Sequence, residues 1–118
     1  MNTSKLYLIQ TVQMISDLEA QKSYERNVPI ADIPSELVSS WFDDCWYTDD
    51  KEFLNLFTTK EIDVLKEFNA YYDKKLKAIP LTSLSEMQES FQWQQVVGKA
   101  QWVLSMLHWQ GEFNEKSS

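Results

Sequence analysis

The segment from Thr58 to Pro80 constrains the fold more than any other part of the chain, because it combines helix start, period and stop signals. Its apolar residues recur at intervals of three or four, the spacing of one helix face, at Ile62, Leu65, Phe68, Tyr72, Leu76 and Ile79. Thr58 and Glu61 form a capping box, in which the two side chains accept amide hydrogens at the helix start. Pro80 cannot continue a helix. These signals predict a long amphipathic helix.

The other segments predict further helices, and none has the alternating pattern of a strand. The predicted helices cover residues 4–26, a segment that starts near Pro34, residues 59–79, a short segment opened by a capping box at Ser83–Glu86, and residues 91–109. Residues 51–57 have room for one or two more turns. The last helix is expected to stop at Gly111, since glycine favours a helix end.

The amino-acid composition supports an all-α fold, a single-domain bundle of about five helices that spans residues 1–118. The chain has 2 glycines and 3 prolines, which disfavours turn-rich sandwiches and barrels. The tail at residues 113–118 is expected to be frayed. The residues predicted to be buried are Ile62, Leu65, Phe68, Tyr72, Leu76, Trp93, Val97, Leu104 and Leu107.

Cysteine and histidine, which serve as nucleophiles and as ligands of soft metal ions, are scarce, although carboxylates are plentiful. One cysteine, Cys45, and one histidine, His108, exclude an internal disulfide, a cysteine zinc cluster and most histidine metal sites. The chain also has no glycine-rich phosphate loop. We therefore expect no enzymatic activity, no cofactor and no metal site. An enzyme would require two acidic side chains that converge in a pocket, one of them with a raised pKa.

Charge and hydrophobicity restrict the partners and the compartment. The net charge of −7 disfavours nucleic acid and anionic membranes, and it permits a basic protein as the partner. The N-terminal region has only a short apolar cluster, residues 6–9. No run approaches the length of about 20 apolar residues that a membrane span needs. We expect a cytoplasmic protein that binds neither membranes nor nucleic acid.

Acidic residues concentrate between Glu36 and Asp63, where eight carboxylates and two lysines together contribute −6 of the net charge. The same stretch contains Trp46 and Tyr47, which follow the second predicted helix and are hard to bury there. Aromatic rings among carboxylates have the composition of a binding hot spot with steering charges around it. We predict a protein-contact site at Asp43, Asp44, Trp46, Tyr47, Asp49 and Asp50. Alternatively, both rings pack beneath the connector and the acids only confer solubility.

The chain carries the stretches Trp41-Phe42-Asp43-Asp44, Phe57-Thr-Thr-Lys-Glu-Ile and Leu65-Lys-Glu-Phe-Asn-Ala-Tyr-Tyr-Asp. Through these stretches, its size and its acidic charge, it resembles over residues 35–107 the small bacterial immunity proteins of contact-dependent growth inhibition systems. The resemblance implies a cytosolic antitoxin without catalysis of its own. Such a protein binds one secreted toxin domain, often a cationic nuclease, and masks its active site. A monomer in a 1:1 complex is the expected assembly.

A second hypothesis concerns the last predicted helix, where Trp102 and Trp109 lie seven residues apart and off the main apolar stripe. This pair suits an acidic adaptor or secretion chaperone that holds an apolar segment of its partner. Chaperones of that kind are usually dimers, so the oligomeric state discriminates between the two hypotheses. A helix buried on two sides explains the same pair without any partner.

Overall fold

In a computed structural model, residues 2–110, the part of the chain that the structure describes, form helices joined by short connectors. The helices are α1 Thr3–Ile15, α2 Leu18–Asn27, α3 Ile33–Phe42, α4 Lys51–Leu54, α5 Thr59–Leu76, α6 Leu84–Glu89 and α7 Phe91–Leu107. The all-α prediction is confirmed for these residues. The number of helices among them is seven rather than about five.

The first predicted helix is in fact two helices, separated by a break at Ser16 and Asp17. The Asp17 side chain accepts a hydrogen bond of 3.0 Å from the amide of Ala20 and so caps the start of α2. The apolar stripe is continuous across the break at Asp17, and for this reason periodicity alone predicts a single helix.

Farther along the chain, where we expected one or two turns in residues 51–57, the structure has α4, a separate helix of 4 residues.

The capping box at the start of α5 is present as predicted. The Thr58 hydroxyl accepts from the amide of Glu61 at 3.1 Å, and the Glu61 carboxylate accepts from the amide of Thr58 at 2.8 Å. At the start of α6, only half of the predicted box forms, because Ser83 accepts from the amide of Glu86 while the Glu86 carboxylate accepts from the hydroxyl of Thr82.

Helix α7 ends at His108, which adopts the left-handed conformation at φ 57° and ψ 43°. The next amide, that of Trp109, donates to the carbonyl of Leu104 at 2.9 Å and closes the helix end. The stop predicted at Gly111 lies outside the described residues, as does the tail at 113–118. A histidine therefore occupies the conformation that a glycine adopts most readily.

One hydrophobic core joins the helices. Helix α5 lies along α7, and α1 packs against both α7 and α3. A chain of aromatic contacts crosses the core, in which Trp41 meets Phe68 edge-on at 4.8 Å and Tyr72 meets Trp93 at 5.8 Å between ring centroids. Six of the nine residues predicted to be buried are buried, namely Leu65, Phe68, Tyr72, Trp93, Val97 and Leu104, and the other three, Ile62, Leu76 and Leu107, are partly buried.

Candidate protein-binding site

Trp46, which the sequence places among the predicted contact residues, belongs to the core. Its ring stacks on that of Trp41 with 5.5 Å between centroids, and it meets Phe53 edge-on at 6.2 Å. Only 9% of the residue is exposed. The chain turns back directly after α3, and this turn brings the indole onto the helix that it has just left. Trp46 therefore supports the acidic connector from beneath.

Tyr47, the next residue, lies on the surface and is 45% exposed. Its hydroxyl donates a hydrogen bond of 2.8 Å to the backbone carbonyl of Asp44. Phe53 of α4 also holds the ring, because the two rings meet edge-on at 5.5 Å between centroids. An exposed ring that is already ordered loses little conformational entropy when a partner covers it.

The four aspartates of the connector divide into two groups. Asp43, Asp44 and Asp49 are exposed, and no lysine or arginine of residues 2–110 forms an ion pair with them. Asp50 has a structural role, because its carboxylate accepts from the amides of Glu52 at 2.9 Å and Phe53 at 3.2 Å and so caps α4. The carboxylates of the other three aspartates therefore neither cap a helix nor form an ion pair within residues 2–110.

An open groove of about 480 Å³ lies on the seam between α1 and α3, close to the connector. Tyr7 of α1 and Asp44 lie at one end, and Tyr24 of α2 and Glu36 of α3 lie at the other. Its lining contains two carboxylates and no lysine or arginine. The volume is within the range of small-molecule and side-chain pockets.

The two tyrosines of the groove are neutral hydrogen-bond donors beside carboxylates. The Tyr24 hydroxyl donates to Oε2 of Glu36 at 2.6 Å, and this bond raises the pKa of Tyr24 above its ordinary value. Partial burial and the nearby carboxylate of Asp44 raise the pKa of Tyr7. Asp44 and Glu36 thus place one carboxylate beside each tyrosine of the groove.

The groove and the connector form one continuous surface. A smaller hollow of about 210 Å³ shares Tyr7 and Asp44 with the groove and extends to Tyr47 and Phe53. The structure thus brings two of the predicted contact residues, Asp44 and Tyr47, together with a groove that the sequence did not predict. Finding the groove requires knowledge of which helix packs beside α1, and helical periodicity does not contain that information.

Cys45 is 2% exposed, and its Sγ atom lies 3.7 Å from the carbonyl oxygen of Trp41. Burial raises the pKa of the thiol to about 12. The thiol is therefore protonated at neutral pH and is a poor nucleophile. Within residues 2–110, no group of three or more histidine, cysteine, aspartate or glutamate side chains could hold a metal ion.

On the alternative face, the rings of Trp102 and Trp109 are covered, whereas Met106 on the same side of α7 is 39% exposed. Trp109 is 4% exposed, and its carbonyl accepts from Nε2 of Gln13 at 3.0 Å. Trp102 is partly buried, and Nζ of Lys99 lies 3.7 Å from the centroid of its ring. Lys99 also forms an ion pair with Glu67. These side chains already have partners within the chain.

Comparison with known proteins finds no family model, no curated protein and no solved structure that matches this chain. Among the described helices, none combines the length and the apolar character that crossing a membrane requires.

Proposed function

We propose that the chain is a cytoplasmic immunity protein that binds and neutralises a basic toxin domain by covering its active site with an acidic surface. The observation that supports this proposal best is the ordered, half-exposed ring of Tyr47. Exposed carboxylates that pair with no lysine or arginine of residues 2–110 flank it, and a groove in which none of these residues is basic continues from it.

The chemistry of a nuclease fits such a surface. An active site that acts on phosphodiesters attracts phosphate, so lysines and arginines surround it. Carboxylates such as Asp43 and Asp49 attract these groups over a distance and accelerate the encounter. Tyr47 then supplies contact area at low entropic cost, as aromatic anchors do in many interfaces. The resemblance of the sequence to immunity proteins supports a toxin as the partner.

A single partner would cover a modest share of the surface of the chain. A standard interface buries about 800 Å² on each partner. That is roughly a ninth of the accessible surface of this chain, which is 7061 Å². The connector from Asp43 to Asp50 adjoins the groove at Asp44, so a single partner can contact both.

The test begins with the gene immediately upstream, where we expect a large secreted protein that carries the toxin domain. Cells that produce that domain should grow only when this chain is also produced. The two purified proteins should form a 1:1 complex in light scattering. Growth arrest despite ample folded chain, or the absence of a complex, contradicts the proposal.

A charge-reversal pair tests the surface itself. Asp43→Lys with Asp49→Lys should slow association by about tenfold at low salt and flatten its salt dependence. The matched control is Glu25→Lys with Glu89→Lys, which changes the net charge equally but lies at a separate cleft between α2 and α6. Equal association rates for the two double variants mean that only the net charge matters and that the connector is not the contact.

A further inference from the structure

The groove between α1 and α3 has two similar ends. One end lies just after α3, where Asp44 is beside Tyr7 of α1, and the other lies at the first turn of α3, where Glu36 accepts from Tyr24 of α2. Each end therefore combines one carboxylate with one tyrosine. A helical rise of 1.5 Å per residue places the end of α3 at Phe42 about 9 Å beyond Glu36, and Asp44 lies in the turn that follows, so the two residues are on the order of 12 Å apart.

Among residues 2–110, the middle of the groove carries no charge and is lined by both polar and apolar side chains. Gln10 and Thr11 line it from α1, and Ser39 and Ser40 line it from α3. An occupant that contacts both ends must therefore concentrate its charge at its own two ends. Hydroxyl and amide groups in the middle suit an uncharged stretch of polypeptide backbone between the two charges.

Each end has the groups that recognise a guanidinium or ammonium ion. A carboxylate supplies a charge-assisted hydrogen bond, and an aromatic ring supplies a favourable face for a cation. At the end formed by Tyr24 and Glu36, the tyrosine hydroxyl bonds to Oε2, so Oε1 of the same carboxylate can accept from an incoming N–H group. At the other end, the exposed carboxylate of Asp44 lies beside Tyr7, which is 41% exposed.

We propose that this groove binds one extended segment of the basic partner through two arginine side chains about 12 Å apart, one at each end. In an extended strand, arginines at positions i and i+4 lie on the same side and about 13 Å apart. Arginine is favoured over lysine because its planar group can stack on a tyrosine ring while it donates to a carboxylate. This inference rests on the proposed function only in assuming that the partner is a basic protein.

The spacing can be tested with synthetic peptides and without the toxin. Three capped peptides of equal length, otherwise glycine and serine, carry two arginines at i and i+4, two adjacent arginines, or two citrullines at i and i+4. Citrulline keeps the shape of arginine but has no charge. Amide NMR shifts of Gln10, Thr11 and Ser40 report occupancy of the groove. The spaced arginine peptide should bind about threefold more tightly than the adjacent one, as expected for one additional exposed ion pair.

The citrulline peptide should produce no saturable shift at these amides. Equal affinities for the two arginine peptides, or shifts that cluster outside the groove, overturn the proposal. Asp44→Asn removes the charge at one end and should abolish the difference between the two arginine peptides. The matched control, Glu25→Gln with Glu89→Gln, removes charges from the separate α2–α6 cleft and should leave that difference intact.

The two proposals fail separately. A preference for spaced arginines without any neutralised toxin overturns the immunity function and supports the groove as a site for a basic segment. Protection against a toxin without a preference for spacing overturns the two-arginine inference and leaves the immunity function standing.

Discussion

The indole rings of Trp41 and Trp46 lie nearly parallel, with 5.5 Å between their centroids and 12° between their planes. This stack ties the connector after α3 back onto the helix. It also determines the position of the next residue, because a side chain that follows an inward-facing one in an extended stretch points outward. Trp46 and Tyr47 are adjacent in sequence, yet one belongs to the core and the other to the surface.

Alanine substitution should separate these two roles. Trp46→Ala removes a buried indole and should lower the free energy of unfolding by about 3–5 kcal/mol. Tyr47→Ala removes a half-exposed ring and should lower it by about 1 kcal/mol or less. Urea unfolding of both variants measures the difference. If the two costs are similar, the connector is packed differently from the structure described above.

A second comparison, between Asp50 and Asp49, distinguishes a carboxylate that caps a helix from one that only lies beside it. Asp50→Ala leaves the first amides of α4 without their acceptor and should cost about 1 kcal/mol in unfolding free energy. Asp50→Asn keeps an acceptor and should cost much less. Asp49→Ala serves as the control and should have almost no effect on thermal unfolding. A loss of stability in Asp49→Ala that matches the loss in Asp50→Ala contradicts the assigned cap.

The parts of the fold that local chemistry determines could be predicted from the sequence. The capping box of Thr58 and Glu61 needs only residues three apart, and the core face of α5 follows from its helical period. The cap at Asp17 is equally local, but an unbroken apolar stripe across it favoured one long helix. The helix end at His108 could not be predicted from the sequence. The left-handed conformation there favours glycine, so nothing in the sequence marks a histidine for this position.

The surface could be predicted only in part. A count of carboxylates locates the acidic connector, but it cannot tell that Asp50 caps a helix while Asp49 does not. The sequence also cannot tell which of two adjacent rings is buried, because that depends on how the turn after α3 returns to Trp41. The groove arises from the packing of α1 beside α3, which is a tertiary relationship.

Gln21 is a buried polar residue that joins three parts of the fold. It is 0% exposed, and its Nε2 donates to the carbonyls of Met14 and Ile15 at 2.9 and 3.0 Å. Its Oε1 accepts from Nε1 of Trp93 and from Nε2 of Gln88, both at 3.1 Å. Gln21→Met keeps a similar volume but leaves these groups without their partner, so it should cost about 2–4 kcal/mol in unfolding free energy.

A double-variant cycle with Trp93→Phe identifies the hydrogen bond as the cause. Each single variant leaves one member of the Gln21–Trp93 pair buried without its partner, whereas the double variant removes both. The cost of the double variant should therefore be less than the sum of the two single costs, in chemical denaturation under the same conditions. Strict additivity contradicts a coupled network.

Cys45 should make the protein lose stability in alkali. Burial, reinforced by the nearby charge of Asp44, raises the pKa of the thiol from 9.0 to about 12 in the folded state. Above pH 9 the unfolded chain therefore releases this proton while the folded chain retains it, so rising pH favours unfolding. The contribution is about 1.4 kcal/mol for each pH unit between pH 9 and 12.

Cys45→Ala removes this contribution, together with the smaller effect of the thiolate on the pKa of Tyr7. The difference in unfolding free energy between the parent and Cys45→Ala should be constant below pH 8.5 and should shrink steadily above pH 9. Parallel curves up to pH 11 would mean that the folded state ionises its thiol as easily as the unfolded chain does.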